Sequence, residues 1–272
     1  MKNKKYAQLD NISAVYDAKT NSVSLIGKRG KFDNGFKIRL KQGSVEDTQI
    51  RKTLFESEAR KLDYTKNNFY PENLPPRIHQ IPLGINQDNE EVSWDFTKDF
   101  SHLLITGKVA SGKTLLLNHI KEILEEYYGN YSNVYYFDES LLRLNREAGR
   151  VQPALENIAE TLKVKSKNGV PTFLLIDEID YVYNYNDDTK NIIEWFLHTG
   201  RSYNLHLILA SYNTTHLNNV RNHCQEVSMD TIAVDTDSVY DSDSFVRRYG
   251  MLLNKDSTEV FVSYIPKSFD KC

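Results

Sequence analysis

Hydrophobic positions along this chain change between alternating and helical spacing, and the changes predict its elements. Near the amino terminus, short runs in which apolar and polar residues alternate are separated by polar turns, as is typical of hairpin strands. We predict strands at Ile12–Tyr16, Ser22–Ile26 and Phe36–Leu40. Apolar residues at helical spacing predict a helix over residues 46–62. Residues 1–65 are therefore expected to form a small β-rich α+β module.

A break in the pattern follows this module. Residues 66–80 contain Pro71, Pro75 and Pro76, and prolines both interrupt regular structure and bias the preceding residue toward extended conformations. We interpret residues 66–80 as a linker and residues 81–272 as a second domain.

Strand and helix patterns alternate along the second domain. Short apolar runs predict buried strands at Glu91–Trp94, His102–Ile105, Val134–Phe137, Thr172–Ile176 and Leu205–Leu209. This alternation is typical of a mostly parallel sheet with helices on both faces. We therefore expect an α/β fold for residues 81–272.

Charge is distributed unevenly, although the formal net charge is only −3. Residues 1–70 carry 15 lysines and arginines against 8 aspartates and glutamates, so the remainder of the chain is acidic. Two interpretations stay open, a face that binds nucleic acid or an acidic partner and an ordinary solvated face.

The number of cysteines and the hydropathy of the chain indicate the cellular compartment of the protein. Cys224 and Cys272 are too few and too far apart for a disulfide framework, which favours a reducing compartment. No run approaches the roughly 18 apolar residues of a membrane span, and Met1–Lys5 is not followed by the apolar segment of a signal peptide. We expect a cytoplasmic protein that would need a partner for any membrane association.

A phosphate-binding motif follows the strand predicted at His102–Ile105. It is Gly-x-x-x-x-Gly-Lys-Thr, and its residues are Gly107, Lys108, Val109, Ala110, Ser111, Gly112, Lys113 and Thr114. In such a loop backbone N–H groups cradle phosphates, Lys113 reaches the β- and γ-phosphates, and the Thr114 hydroxyl binds Mg²⁺. Helical apolar spacing over Leu115–Leu124 completes the required strand, loop and helix. The motif predicts that ATP or GTP binds with Mg²⁺.

The strand predicted at Thr172–Ile176 ends in the acidic pair Asp177 and Glu178. An apolar strand that ends in acids is by itself as often structural as functional, but here a phosphate loop precedes it. Asp177 would hold Mg²⁺ together with Thr114, and Glu178 would accept a proton from the attacking water. This pair favours hydrolysis over transfer of the phosphoryl group to a small substrate.

The strand predicted at Leu205–Leu209 leads to Ser211 and Asn213. Polar side chains at this strand end can contact the γ-phosphate and so sense the bound nucleotide. Serine and asparagine after a strand are equally typical turn formers. Ser211 is therefore a candidate nucleotide-binding residue, and its role as a plain turn former stays the alternative.

These residues together resemble the FtsK/SpoIIIE family of DNA-pumping ATPases within the HerA-like group. The matching segments are Ile81–Ile85 with Val92–Phe96, Phe100–Gly107, Leu174–Asp180 and Gly200–Ala210. The resemblance covers residues 81–213 well and Phe245–Ile265 weakly. Where the family usually has Thr-Gln-Arg-Pro after its sensor strand, this chain has Ser211-Tyr212-Asn213-Thr214.

The resemblance implies a RecA-like P-loop NTPase core that couples ATP hydrolysis to translocation of double-stranded DNA. It also implies a ring-shaped homo-oligomer, a hexamer in this family, in which a neighbouring subunit donates an arginine to the ATP site. Arg201 is the first candidate for that arginine, and Arg247 and Arg248 are alternatives. Targeting would come from a membrane or DNA-processing partner. The other reading is an FtsK-type ATPase that acts on protein partners in secretion or assembly.

Overall fold

The computed structural model describes part of the chain, which divides into two compact units. The described residues are 11–17, 22–28, 36–41, 49–50, 53, 79–98, 100–138, 148–164, 170–212, 215–233, 246–253, 258–264 and 266. One unit comprises Met1–Lys61 and Asn254–Thr258, and the other comprises Leu62–Leu253 and Glu259–Cys272.

The first unit contains an antiparallel sheet of β1 (Asn11–Asp17), β2 (Ser22–Lys28) and β3 (Phe36–Arg39). The three strands predicted here from alternation are thereby confirmed. Of the predicted helix, residues 49, 50 and 53 are helical and the others lie outside the described residues. Most of the predicted linker also lies outside them, so the position of the domain boundary stays a prediction.

Within the described part of the second unit, nine strands form one mixed sheet. In chain order they are β4 (Gln80–Ile85), β5 (Glu91–Asp95), β6 (His102–Gly107), β7 (Asn133–Phe137), β8 (Thr172–Ile176), β9 (Leu205–Ser211), β10 (Cys224–Ala233), β11 (Val246–Leu253) and β12 (Thr258–Ser263). Their spatial order is β5-β4-β12-β11-β10-β6-β9-β8-β7. The five strands from β10 to β7 pair in parallel, which confirms the predicted α/β fold with a largely parallel sheet.

The remaining strands extend this parallel core on one side. β11 pairs antiparallel with β10, and β4 pairs antiparallel with both β12 and β5. β4 and β10 lie outside the set of strands predicted from the sequence, and β11 and β12 fall in Phe245–Ile265, where only a weak family resemblance indicated strands. The antiparallel extension was therefore not foreseen.

Helices follow several of the strands. They are α1 (Lys113–Ile123), continued by a π-helical turn at Leu124–Tyr128, α2 (Ala148–Val164), α3 (Ile179–Tyr183), α4 (Asp187–Thr199) and α5 (Asn218–His223). The start of α4 has a clear local cause, because the Asn186 side chain caps it by accepting a hydrogen bond of 2.8 Å from the Thr189 N–H. Within the described residues no helix combines the length and apolar character needed to cross a membrane.

Both faces of the parallel core are buried. Along β6, Leu103 and Ile105 belong to an apolar cluster that includes residues of α1, β4 and β5. Leu104, which points the other way, belongs to a second cluster that includes residues of α2 and α4. Continuous apolar runs in these strands therefore reflect burial on both faces rather than one.

The parallel strands begin at what we call the amino edge of the sheet, which contains His102 and His206. His206 Nδ1 lies 3.0 Å from the carbonyl oxygen of Ser101, and the N–H of Leu207 donates to His102 Nδ1 at 3.0 Å. Burial lowers the pKa of each imidazole to about 4, so both are neutral near pH 7. These neutral rings join β6 to β9 through main-chain hydrogen bonds.

Candidate nucleotide-binding site

The same strands end at the opposite, carboxyl edge, where the phosphate loop joins β6 to α1. The loop backbone has positive φ at three residues, 151° at Gly107, 64° at Ala110 and 100° at Gly112. A methyl group on Gly107 would collide with the Met229 carbonyl oxygen and lie 2.6 Å from Ser111 Oγ. Glycine is therefore required by both the backbone conformation and the close approach of neighbouring atoms.

Two side-chain hydrogen-bond donors, those of Lys113 and Ser111, lie in this loop. Lys113 folds back so that its Nζ donates to the carbonyl oxygens of Gly107 at 2.9 Å and Lys108 at 2.8 Å. Ser111 is 2% exposed, and its Oγ has no hydrogen-bond partner among the described residues. Phosphate oxygens are acceptors that can take hydrogen bonds from such groups, so the loop fits a phosphate chain.

The acidic pair follows β8 at the same edge. Asp177 is 1% exposed, and its N–H extends the sheet by donating to the Phe137 carbonyl oxygen at 2.9 Å. The Thr114 hydroxyl donates to Asp177 Oδ2 at 2.9 Å. Hydroxyl and carboxylate oxygens are ligands that Mg²⁺ accepts, so the two predicted metal ligands lie together and their chemistry fits the ion.

Glu178 adopts a left-handed backbone conformation with φ 52° and ψ 56°. Its N–H donates to Asp177 Oδ1 at 3.0 Å, which positions the two acids relative to each other at the start of α3. A left-handed non-glycine residue costs on the order of 1 kcal/mol, and such residues cluster at functional sites. The strain therefore supports a functional role for this glutamate.

Ser211 ends β9 and lies beside Thr106 of β6 in the sheet register. Its hydroxyl donates to Asp180 Oδ2 at 2.8 Å, and both residues are buried. This hydrogen bond connects the end of β9 to α3, which follows the acidic pair. Asn213, the second polar candidate, lies outside the described residues.

Arg201 lies in a short 3₁₀ turn, Gly200–Tyr203, before β9 begins. Its side chain is exposed, and Nη2 donates to the Thr97 carbonyl oxygen at 3.4 Å. The seven residues of β9 span about 20 Å, so Arg201 lies at the amino edge, away from the phosphate loop of its own chain. Its predicted catalytic role thus requires a neighbouring subunit and stays a prediction.

Arg248, an alternative for that donated arginine, lies instead against the phosphate loop of its own chain. A methyl group on Gly112 would lie 2.5 Å from Cδ and 3.3 Å from Nε of Arg248. Arg248 is on β11, paired with Thr231 of β10. This contact could not be predicted from the sequence, because residues 112 and 248 are brought together only by the order of strands in the sheet.

The fold is similar to several solved structures. The cytoplasmic domain of the type VII secretion ATPase EccC from Thermomonospora curvata matches with a TM-score of 0.55 and 18% identity, covering 74% of this chain and 28% of that one. A structure of T. curvata EccC ATPases 2 and 3 in complex with a signal sequence peptide matches with a TM-score of 0.55 and 17% identity, covering 76% of this chain and 43% of that one. The cytoplasmic domain of EssC matches with a TM-score of 0.54 and 12% identity, covering 88% of this chain and 58% of that one. No protein-family model and no curated protein sequence matches the chain.

The parallel core, the phosphate loop and the acidic strand together define a P-loop NTPase fold. More particularly, the fold is similar to that of the ATPases EccC and EssC. The expectation of a P-loop ATPase core is thereby confirmed at the level of fold. The chain spans between about a quarter and three-fifths of the length of these three matched chains.

Proposed function

We propose that this chain binds ATP with Mg²⁺ at residues 107–114 and hydrolyses it. The observation that carries the proposal is the 2.9 Å hydrogen bond between Thr114 and Asp177, because it joins the two separately predicted halves of a metal–nucleotide site. These halves are 63 residues apart in sequence. Their meeting at the carboxyl edge is what nucleotide chemistry requires.

In this proposal, the loop N–H groups, Ser111 and Lys113 hold the phosphates, while Thr114 and Asp177 hold the metal ion. The Mg²⁺ ion would neutralise charge on the β- and γ-phosphate oxygens. Lys113, which is 8% exposed, supplies a positive charge within the loop where solvent screens it little. Binding of the phosphates therefore depends on donors that the folded chain already holds in place.

Hydrolysis proceeds by attack of a water oxygen on the γ-phosphorus. The bond from that phosphorus to the β,γ-bridging oxygen breaks, giving ADP and phosphate, and the carboxylate of Glu178 accepts the proton of the water. Support comes from the left-handed backbone of Glu178, which directly follows the proposed metal ligand Asp177 in sequence. Arg201 from a neighbouring subunit would stabilise the charge that develops on the transferred phosphoryl group.

We further propose that hydrolysis drives movement of double-stranded DNA through a ring-shaped homo-oligomer, with residues 81–272 as the motor domain. The support is the resemblance of residues 81–213 to FtsK/SpoIIIE motors and the excess of basic residues within residues 1–70. DNA binding would be independent of sequence and would weaken steeply with salt. In this view residues 1–65 form a separate module, joined by the linker at 66–80, and a membrane or DNA-processing partner directs the cytoplasmic motor.

A second candidate function is action on a protein partner. It is favoured by the likeness to EccC ATPases 2 and 3, whose structure was solved in complex with a signal sequence peptide. In this alternative, hydrolysis would drive secretion or switch an assembly rather than move DNA.

Steady-state ATP hydrolysis with and without long double-stranded DNA, at low and moderate salt, separates the two. The Lys113→Ala variant serves as a control for contaminating ATPases, because it removes the charge inside the loop. Salt-sensitive stimulation by DNA would support the DNA motor. Turnover indifferent to DNA at both salt concentrations would favour the protein partner, and turnover retained by Lys113→Ala would contradict the proposed site.

A further inference from the structure

The side chain of Arg248 has a buried hydrogen-bond donor that the described neighbouring residues leave unsatisfied. Its Nε is fully buried and has no hydrogen-bond partner among the described residues. The described residues also provide no ion-pair partner for Arg248, whereas Arg221 of α5 pairs with Glu226 at 2.7 Å. A buried donor without an acceptor costs roughly 1–3 kcal/mol, and more when it is charged. Such a group is expected to have an anionic acceptor in the working protein.

The position of Arg248 identifies where that acceptor would lie. Its Cγ, Cδ and Nε surround the position that a methyl group on Gly112 would take, at 3.4, 2.5 and 3.3 Å. Gly112 is the last glycine of the phosphate loop and directly precedes Lys113. Nε, the first nitrogen of the guanidinium group, therefore lies beside the loop whose backbone N–H groups cradle the α- and β-phosphates in proteins of this kind.

The charges around the loop favour the same ligand. Lys113 is a second cation of the same loop: it directly follows Gly112, and its Nζ donates to the Gly107 carbonyl oxygen. Like charges repel unless an anion lies between or beside them, and arginine is well suited to phosphate because its planar fork donates two parallel hydrogen bonds. Packing of the aliphatic stem against glycine accounts for the position of Cγ and Cδ but leaves the buried Nε unsatisfied.

We infer that Arg248 binds the phosphate chain of the nucleotide held by its own subunit. The inference rests on the proposed nucleotide binding and adds a ligand from β11, which no motif in the sequence marks. Arg248 would contact the diphosphate portion shared by ATP and ADP. This role is distinct from that of an arginine donated by a neighbouring subunit, because it operates within a single chain.

The test compares Arg248→Met with Arg248→Lys. Methionine keeps an unbranched stem against Gly112 without charge, and lysine keeps the charge without the fork. Lys98→Ala is the control, since it also removes one positive charge but from a side chain that is 73% exposed in the turn after β5. Affinities for MgATP, MgADP and inorganic pyrophosphate are measured by titration calorimetry, and the unfolding midpoint is measured without ligand.

We expect Arg248→Met to weaken binding of all three ligands by about tenfold or more. Arg248→Lys should lose less, Lys98→Ala should bind as wild type, and the ligand-free unfolding midpoint should stay within about 2 °C. Wild-type affinities in Arg248→Met would overturn the inference. So would a fall in its ligand-free midpoint that accounts for the whole loss and is shared by Arg248→Lys, since the role would then be structural.

The outcome also separates this inference from the proposed function. A wild-type chain that binds none of the three ligands would contradict both. Wild-type binding of ATP with no dependence on Arg248 would contradict the inference and leave the nucleotide site in place. Binding of pyrophosphate that depends on Arg248, without hydrolysis of ATP, would support the arginine and contradict the proposed catalytic activity.

Discussion

The two edges of the parallel strands are built in opposite ways, although the same strands form both. At the amino edge, His102 and His206 are buried, neutral and hydrogen-bonded to main-chain groups. At the carboxyl edge, Ala110 and Glu178 have left-handed backbones, and Ser111 has a buried hydroxyl without a partner in the described part of the chain. Asn204, directly before β9 at the amino edge, is also left-handed, so the contrast lies in hydrogen bonding: the two histidines are bonded to main-chain groups, whereas the Ser111 hydroxyl is not bonded to any described residue.

This difference concerns how residues at the two edges affect the stability of the fold. Strained residues and unsatisfied donors each cost on the order of 1 kcal/mol or more, and in proteins such residues cluster at functional sites. The apolar strands between the edges, whose residues such as Leu104, Ile105 and Leu175 are fully buried, supply the rigid frame that holds both. Substitution of Glu178 should therefore change activity most, whereas substitution of the amino-edge histidines should change stability.

Replacing Glu178 by glutamine should have the largest effect. The amide keeps the size of the side chain but cannot accept the proton of the attacking water, so the turnover number should fall by about 100-fold or more. ATP affinity should change little, because the phosphate loop and the metal ligands are untouched. Single-turnover hydrolysis and ATP titration on the same preparation measure the two effects separately.

Glu160→Gln is a matched control, because it makes the same chemical change at an exposed position on α2. It should hydrolyse ATP as the wild type does. Normal turnover by Glu178→Gln would require another proton acceptor and would weaken the contrast between the edges.

Acid should destabilise the protein through the amino edge. The folded pKa of about 4 for His102 and His206 lies below the unfolded value near 6.5, so the unfolded chain binds more protons between these two values. The free energy of unfolding should therefore fall as the pH decreases from 6.5 toward 4. In the middle of that window the slope should approach about 1.4 kcal/mol per pH unit for each histidine. Urea unfolding at pH 7, 6 and 5 measures the slope.

His206→Gln should reduce this slope by about half, whereas His216→Gln, at an exposed position, should leave it unchanged. The comparison concerns the slopes, so a variant with lower stability at pH 7 still gives a result. A wild-type free energy of unfolding that stays constant from pH 7 to pH 5 would contradict the neutral, buried histidines.

A smaller loss of stability is expected when Ser211 becomes alanine. Its hydroxyl donates to the buried carboxylate of Asp180, and removing one such hydrogen bond costs about 1 kcal/mol. Ser202→Ala, at an exposed site in the turn before β9, should be close to neutral. Chemical denaturation of both variants gives the difference, and equal stabilities would show that the hydrogen bond to Asp180 contributes nothing.

The parts of the site that could be predicted from the sequence depend on neighbouring residues. The glycines of the phosphate loop stand between a strand and a helix in a fixed spacing, and Asp177 and Glu178 come directly after an apolar strand. The pattern therefore predicts the loop, Lys113 and the acids without knowledge of the tertiary structure. That Thr114 and Asp177 meet also follows, because carboxyl ends of parallel strands share one edge of a sheet.

Other features depend on contacts between distant segments. β10 contains Val227 and Met229 at alternating buried positions, a signal that is present but interrupted by charged residues. The contact of Arg248 with Gly112 requires both the pairing of β11 with β10 and that of β10 with β6. Likewise, His102 and His206 meet their partners only when β6 and β9 are adjacent. No local pattern specifies these neighbours.

The most direct test of the account is hydrogen–deuterium exchange with and without MgATP, using Glu178→Gln to prevent turnover. The account predicts slower exchange in peptides that cover residues 107–114 and 177–180, with little change in peptides that cover residues 100–102 and 201–206. Protection confined to the amino edge, or no protection at saturating MgATP, would contradict the assignment of the carboxyl edge as the nucleotide site.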